Sequence, residues 1–373
     1  MKINEIFNQT KVDRIKQNII VIYRKRNTPP GNEYLKVIEK ANNTLSSENP
    51  EIRPSDSNGL PGGIIHLKKN IPTIIVPDLH ARVKFMINLL SFTDTAGMSV
   101  LQKLAFNQIQ IVCVGDGFHS EHGTRERWKA AYKEFTSKFH SSKHMDQEMG
   151  NSMRLMEIVM ILKSSYPDNF HFLKGNHENI CNESDNGNHA FRKFAWESLM
   201  VYEYMKKFYD SKMIDAFYKF EKNLPLLAVG RNFLISHAEP KKFYGTASLT
   251  DYRQHPEIVE GLTWTADDDA QKNSVDRMLK HYLGNGNTKE KKYYFGGHRS
   301  IKSVYNLRAG GKYVQIHNPA KFIIAIIDTE KAIDLEQDII VLDNNINKTF
   351  TMKSFINKKL LGKVAKKGTR KHK

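Results

Sequence analysis

The sequence predicts an α/β fold, and two observations point to it. Short apolar runs, each long enough for a buried strand, recur from residue 71 onward, and helical patterns lie between them. Strands that alternate with helices are typical of α/β domains. The apolar runs are IPTIIVP (71–77), IQIVCVG (109–115), NFHFLKG (169–175), RNFLISH (231–237), KYYFGGH (292–298) and KFIIAIIDT (321–329).

The chain divides into three predicted segments. Residues 1–70 are predicted to form an N-terminal extension, with a basic amphipathic helix followed by loops at NTPPGN and SDSNGLPGG. Residues 71–345 hold the α/β domain, which contains a helical insertion at about 124–164 with a polar break near SSKHMDQEMGN. Residues 346–373 form a basic tail. An insertion of this size could serve as a lid or an interaction surface, although its Met and aromatic residues are more typical of core packing.

The composition indicates a globular protein. Of its 373 residues, 40% are apolar and 26% are charged. No apolar stretch approaches the roughly 20 residues of a membrane-spanning helix, and the N-terminus lacks the apolar segment of a signal peptide. Two cysteines, Cys113 and Cys181, cannot form a disulfide framework. We therefore expect a cytoplasmic protein without a membrane span.

The net charge of +17 is concentrated at the C-terminus. The last 16 residues, KKLLGKVAKKGTRKHK, contain eight Lys or Arg and no acidic residue, which leaves +9 on the rest of the chain. A tail of this kind binds polyanions through nonspecific electrostatic contacts. A nucleic-acid-associated phosphodiesterase or binder that uses the tail therefore remains an alternative to a small-substrate enzyme.

Polar residues follow five of the predicted strands. In chain order they are Asp78 and His80, then Asp116, then Asn176 and His177, then His237, and finally His298. In open α/β sheets the loops at the carboxyl ends of the strands form the ligand crevice, so these side chains are expected to converge.

The residue types in this set suit a metal centre. Carboxylate and amide oxygens combined with imidazole nitrogens favour Mn, Fe or Zn over Ca. Two such ions about 3.5–4 Å apart would clamp a phosphate and convert a bridging water to hydroxide. Asp116 is the natural residue to bridge them. Glycines beside the ligands, such as Gly115 and Gly175, allow the backbone to turn sharply and approach the ions.

The order of these motifs, D-x-H, G-D, G-N-H-E, H and G-H, resembles the calcineurin-like metallophosphoesterases, and GNHE with the single late GH resembles their phosphoprotein phosphatase branch. The resemblance covers about residues 71–330. It implies an αββα sandwich of two mixed sheets with a dinuclear metal site. One ion would be held by Asp78, His80 and Asp116, and the other by Asp116, Asn176, His237 and His298. His177 would protonate the leaving group.

The second motif departs from the family pattern. The family sequence is usually GDxxDRG, whereas this chain has GDGFHSEHG at 115–123. His119 stands at the position of the second Asp, which normally supports the catalytic histidine, and Ser120 stands at the position of a phosphate-binding Arg. Glu121 could substitute for the Asp. His119 and Glu121 are therefore predicted to support the metal ligands from outside the coordination sphere.

The phosphate-binding residues are less clearly indicated. Lys174 replaces an Arg that often precedes GNHE, and it offers a point charge rather than a bidentate fork. Phosphate contacts are predicted from basic residues near the motifs, with a surface position as the alternative for each. They are Arg82, Arg125, Arg127, Lys174 and Arg299.

The resemblance implies a phosphoesterase that hydrolyses phosphomonoesters by metal-activated hydroxide, without a covalent intermediate. Phosphoserine or phosphothreonine in proteins is the first substrate class, and small nucleotides are the second. Hydrolysis of a nucleotide or dinucleotide polyphosphate is the alternative within the same chemistry, and a metal-bound but inactive adaptor is a third reading. Asn176 lies 60 positions after Asp116, a separation that accommodates the predicted helical insertion, which would restrict access to the site.

Overall fold

The structure, a computed structural model, describes residues 3–25, 27–184, 187–284, 290–342 and 351–352. Most of the predicted basic tail (346–373) lies outside the described residues. The helices are α1 (Ile3–Arg24), α2 (Gly31–Ser46), α3 (Val83–Ser91), α4 (Val100–Ala105), α5 (Arg125–Thr136), α6 (Lys143–Ser165), α7 (Glu197–Phe208), α8 (Ser211–Lys222), α9 (Thr246–Thr250), α10 (Pro256–Thr263), α11 (Ser274–Leu283) and α12 (Leu335–Asp338). Within the described ranges, every helix is too short or too polar to cross a lipid bilayer.

The strands form two large mixed sheets. One has the order β1-β6-β7-β8-β10-β9 and the other has the order β12-β11-β2-β4-β5. Strands β2, β4 and β5 are parallel, whereas β11 is antiparallel to its neighbours β2 and β12. The strands are β1 (Ile64–His66), β2 (Thr73–Val76), β3 (Thr93–Asp94), β4 (Gln110–Cys113), β5 (Phe170–Phe172), β6 (Leu227–Val229), β7 (Phe233–Ile235), β8 (Tyr293–Gly296), β9 (Asn306–Arg308), β10 (Tyr313–Gln315), β11 (Phe322–Ile327), β12 (Ile339–Leu342) and β13 (Thr351–Met352).

The central strands are buried on both faces, which explains why their sequences are continuous apolar runs rather than alternating ones. In β2, Ile75 packs into the core between the two sheets, whereas Ile74 packs into the core beneath the helices. Val112 and Ile111 of β4 divide in the same way, because successive side chains point to opposite faces of a sheet. The predicted sandwich of two mixed sheets with helical outer layers is confirmed, and all six predicted strands are present.

The first 70 residues contribute to the outer layer and to one sheet. The sequence predicted loops after the first helix, but Gly31–Ser46 forms a second helix, α2. Its buried residues Tyr34, Ile38, Ala41 and Leu45 recur at helical spacing and pack in the same core as α6 and α8. The prolines before Gly31 indicate a loop in the sequence, but proline is also common at a helix start. Strand β1 pairs in parallel with β6.

The insertion consists of α5 and α6, and the break between them lies at residues 137–142 rather than at the predicted position. Most of the polar segment SSKHMDQEMGN belongs to the start of α6. The Glu134 carboxylate of α5 accepts hydrogen bonds from the backbone N–H groups of His144 (3.0 Å) and Met145 (2.9 Å). These bonds satisfy N–H groups in the first turn of α6, which have no partner within the helix.

A buried ion cluster joins the N-terminal segment to the insertion. The carboxylate of Glu48, just after α2, binds Arg53 Nη1 at 2.5 Å and also pairs with Lys163 near the end of α6. All three side chains are at most 3% exposed. Burial alone would raise the pKa of Glu48, but the neighbouring Lys163 and Arg53 lower it to about 2. The carboxylate is therefore charged in the folded protein at neutral pH.

Candidate metal centre between the two sheets

The six predicted metal ligands come from both sheets and lie together in the space between their carboxyl ends. The five-stranded sheet supplies the first four, and the six-stranded sheet supplies His237 and His298. The Asp116 Oδ2 atom lies 3.6 Å from His80 Nε2 and 3.4 Å from His237 Nε2. The side chains of Asp78, His80, Asp116, Asn176 and His237 are almost fully buried, and His298 is partly exposed.

Several of these residues have a strained backbone. Their φ angles are +41° at His80, +54° at Asp116, +65° at His119 and +62° at His298. Left-handed φ values cost non-glycine residues roughly 1–3 kcal/mol each and are concentrated at functional sites. The packing of the two sheets therefore holds these loops in conformations that a free loop would avoid.

The hydrogen bonds of His80 fix its tautomer. Its Nδ1 lies 3.0 Å from the His119 carbonyl oxygen, which only accepts, so Nδ1 carries the proton. Burial lowers the pKa of His80 to about 3, so the ring is neutral. The Nε2 lone pair then faces oxygens of Asp78 at 3.8 Å, Asp116 at 3.6 Å and Glu121 at 3.6 Å. A buried lone pair that faces only other acceptor atoms is unfavourable unless a cation lies between them, so this arrangement is compatible with a bound metal ion.

The same reasoning applies to His237 in the other sheet. Its Nδ1 donates to the Val114 carbonyl oxygen at 3.1 Å, and burial lowers its pKa well below the usual value. The Nε2 lone pair lies 2.9 Å from Asn176 Oδ1 and 3.4 Å from Asp116 Oδ2. Asn176 Oδ1 is also 3.0 Å from His298 Nδ1. These four side chains form a second group of donor atoms around one position.

The buried carboxylates also fit a cation. Burial raises the pKa of Asp78. Burial also raises the pKa of Asp116 well above its usual value, and the nearby charges of Asp78 and Glu178 raise it further. A divalent ion reverses this effect because it favours the charged form. With its carboxylate oxygens, one amide oxygen and imidazole nitrogens, the donor set is compatible with two divalent ions that share Asp116.

His177 is held by His119. The two Nδ1 atoms are 2.8 Å apart, and His177 Nε2 lies 3.7 Å from Asp116 Oδ2. The ring of Phe191 lies against His177, with 3.7 Å between the ring centroids. Among the contacts of the described residues, Glu121 is not bonded to His177, so the position of the family's second Asp is taken over by an imidazole.

Glu121 contacts a histidine that the motif reading did not include. Its Oε2 lies 3.2 Å from Nε2 of His317, and its Oε1 pairs with Lys193. His317 follows strand β10 as the other ligands follow theirs, in the short run KYVQIHN. Its position after a strand was the available signal in the sequence, but His317 belongs to none of the five motifs. Lys193, whose side chain is 37% exposed, lies at the edge of the site.

The predicted phosphate-binding residues are placed differently from one another. Arg82 donates to the backbone carbonyls of Leu79, Asn318 and Lys321 at 2.9–3.1 Å, and also to that of Asp78. Lys174 is buried and donates to the Glu178 carbonyl. Both side chains are therefore used to hold loops in place. Arg127 pairs with Glu148 and donates to Ser120 Oγ at 3.2 Å. The two predicted residues that remain, Arg125 at the start of α5 and Arg299 next to His298, are exposed.

Glu178 joins the loops that carry Asp116 and Asn176. Its carboxylate accepts hydrogen bonds from the backbone N–H groups of Asp116 (2.8 Å), Gly117 (2.7 Å) and Gly175 (2.8 Å). Gly115 makes this approach possible, since its φ is +114° and a Cβ there would lie 2.5 Å from the backbone nitrogen of Gly175. The last residue of the GNHE motif thus has a structural task rather than a ligand position.

Replacing Glu178 by Gln is expected to lower the free energy of unfolding by about 2–3 kcal/mol, because one acceptor oxygen becomes an NH₂ group that faces buried N–H donors. Urea unfolding followed by circular dichroism measures this loss. Glu126→Gln is the matched control, since Glu126 is 81% exposed and its substitution should change stability by less than about 0.5 kcal/mol. Equal stabilities for the two variants would contradict the assignment.

Comparison with solved structures supports the fold. A protein serine/threonine phosphatase from Saccharomyces cerevisiae, described as similar to human phosphatase PP5, aligns over 88% of this chain and 92% of its own with a TM-score of 0.51 and 14% identity. A cold-active protein-tyrosine phosphatase of a psychrophilic Shewanella aligns over 75% of this chain and 82% of its own, with a TM-score of 0.43 and 10% identity. No protein-family model and no curated protein matches the sequence. The chain shares the fold of the Saccharomyces cerevisiae protein, with the two mixed sheets and outer helices that the motif order predicted.

Proposed function

We propose that this chain is a dinuclear metal-dependent phosphomonoesterase, with phosphoserine or phosphothreonine in proteins as its first substrate class. The observation that carries the proposal is the set of buried imidazole lone pairs that face buried carboxylate and amide oxygens at the carboxyl ends of the two sheets. His80 Nε2 has three such neighbours at 3.6–3.8 Å. The shared fold with a serine/threonine phosphatase supports the choice of reaction.

In this proposal, one ion is held by Asp78, His80 and Asp116, and the other by Asp116, Asn176, His237 and His298. When bound, two divalent ions at this position supply Lewis acidity toward the phosphoryl oxygens and activate water for attack on phosphorus. The chain itself contributes the spacing of the two sites through Asp116, whose Oδ1 also accepts the backbone N–H of His177 at 3.0 Å. That bond restrains rotation of the carboxylate, whose Oδ2 lies near both His80 and His237.

His177 is the proposed proton donor to the leaving oxygen. When His119 Nδ1–H donates to His177 Nδ1, the neutral His177 ring carries its proton on Nε2, which faces Asp116 and the site. The alkoxide that leaves the phosphorus takes this Nε2 proton while the ring regains one proton from the attacking water, so that the ring is neutral before and after the step. Phe191 covers the imidazole pair on one side and limits the access of water to it.

Arg299 and Lys193 are the proposed contacts for the outer phosphate oxygens. Arg299 is exposed and follows His298, so its guanidinium can reach a phosphate that lies over the ligands. Lys193 lies on the loop that carries Phe191 and is anchored by Glu121. These residues would take the place of the Arg that the second motif lacks at Ser120.

Hydrolysis of p-nitrophenyl phosphate in the presence of Mn²⁺ tests the proposal. His177→Ala is expected to lower kcat by about 10²–10⁴-fold, the range typical of a lost general acid. His281→Ala is the matched control, since His281 lies exposed on α11 away from the site. A preference of the wild-type protein for bis-p-nitrophenyl phosphate would replace the monoester by a diester substrate. Failure of the metal-loaded wild type to hydrolyse either ester would refute the proposed function.

A further inference from the structure

His317 is a buried histidine at the site to which no role has been assigned so far. It follows β10 and is 1% exposed. Its Nε2 lies 3.2 Å from Glu121 Oε2, while its Nδ1 has no hydrogen-bond partner and lies 3.6 Å from Asp78 Oδ2. An unpartnered ring nitrogen in the interior is costly unless something outside the protein's own groups satisfies it.

The pairing with Glu121 determines which nitrogen of His317 is free. Glu121 also binds Lys193, so its carboxylate is charged and can only accept hydrogen bonds. The proton of His317 therefore resides on Nε2, and the lone pair on Nδ1 is directed toward Asp78. A histidine whose other nitrogen is held by a carboxylate is the usual arrangement for a metal ligand, because the carboxylate fixes the ring orientation and raises its basicity.

The distances agree with this reading. The donor atoms of Asp78, His80 and His317 all lie within 4.8 Å of one another, and all three residues are buried. Two atoms bound to one ion at about 2.0–2.2 Å are separated by roughly 3–4 Å. The 3.6 Å between His317 Nδ1 and Asp78 Oδ2 is too long for a hydrogen bond but suits two ligands of a common ion.

We propose that His317 is a further protein ligand, through Nδ1, of the ion held by Asp78, His80 and Asp116, and that Glu121 is the residue that positions it. This inference rests on the proposed function, because it concerns the same metal centre. It gives each ion four protein ligands, since the other is held by Asp116, Asn176, His237 and His298. The added imidazole makes the site of Asp78, His80 and Asp116 more selective for ions that accept nitrogen ligands, such as Zn and Fe.

Metal binding without substrate tests the assignment. The full-length protein is stripped with a chelator and titrated with Co²⁺, and binding is followed by visible absorption and by competition with a chelating dye. His317→Ala is expected to weaken one of the two Co²⁺ equivalents by about 100-fold or more, and Glu121→Gln to weaken the same equivalent by about 10–100-fold. His122→Ala is the matched control, because His122 is exposed and adjacent to Glu121 in sequence. It should bind both equivalents like the wild type.

The outcomes separate this inference from the proposed function. If His317→Ala binds two Co²⁺ ions with wild-type affinity while His237→Ala loses one, the ligand role of His317 is wrong and the dinuclear centre stands. If the wild type binds no metal, both proposals are refuted. Circular dichroism of each metal-free variant checks folding. Should His317→Ala be unfolded, His317→Gln takes its place in the same titration, with the same weakened equivalent expected and wild-type binding as the contradicting result.

Discussion

Asp116→Asn is expected to abolish phosphomonoester hydrolysis, lowering kcat/KM by more than about 10⁴-fold, which corresponds to about 5.5 kcal/mol of transition-state stabilisation. Asn keeps the shape of the side chain but removes the negative charge from the one residue common to both groups of donor atoms. The Asp116 Oδ2 atom lies within 3.7 Å of Nε2 in each of His80, His177 and His237. No other described carboxylate lies this close to all three rings.

The measurement combines turnover of p-nitrophenyl phosphate with the metal content of the protein after dialysis. Asp116→Asn should retain fewer than two ions per chain as well as losing activity. Asp269→Asn serves as the control, since Asp269 is an exposed residue of the acidic loop 267–269. A variant at position 116 that keeps two ions and a tenth of the activity would show that the carboxylate is not shared.

Glu48→Gln is expected to reduce the free energy of unfolding at neutral pH by about 3–5 kcal/mol, because it leaves Lys163 without a carboxylate partner in the interior. The stabilisation that Glu48 contributes should decrease as the pH is lowered. The pKa of Glu48 is lowered to about 2 in the folded protein, so the stabilisation is fully present above its unfolded value near 4.5. It is lost as the pH falls toward 2, and the gap between wild type and variant should narrow over that interval.

Urea unfolding at several pH values between 7 and 3 measures both parts of this prediction. Glu51→Gln, three residues further along the chain and exposed, is the control and should differ from wild type by less than about 0.5 kcal/mol at every pH. A constant difference between Glu48→Gln and wild type across this range would show that the charge of Glu48 does not carry the effect. If Glu51→Gln also lost stability, the effect would come from changing any residue of the segment after α2 and not from the charge of Glu48.

The sequence predicted the strands well because burial on both faces makes them continuous apolar runs. The sequence also predicted that Asp78, Asp116 and His237 lie close together. Each of these residues closely follows a buried strand, and the loops at the carboxyl ends of the strands form one crevice. The assignment of strands to two separate sheets came from the motif order and not from the runs themselves. Helix α2 was missed because the prolines before Gly31 suggest a loop, while the apolar stripe behind them is short.

Contacts between residues far apart in sequence could not be predicted in the same way. Glu121 was considered as the support of His177, but it lies against His317, which is 196 positions away. His119, which stands at the motif position of the family's supporting Asp, contacts His177 instead, with 2.8 Å between the Nδ1 atoms. Arg82 shows the same limit: its place near the motif suggested a phosphate contact, whereas its guanidinium binds main-chain carbonyls.

The division of the donor atoms between two sheets has a consequence for tolerance to substitution. Hydrogen bonds fix the distance between strands within a sheet, whereas the distance from one sheet to the other is set mainly by side-chain packing. Here that spacing depends on buried core residues such as Ile75, Val112, Ile235 and Phe295. We expect a change of one methylene group in this layer to alter the separation of His80 from His237. The volume of the hydrophobic interior therefore influences the spacing of the donor atoms as well as the stability of the fold.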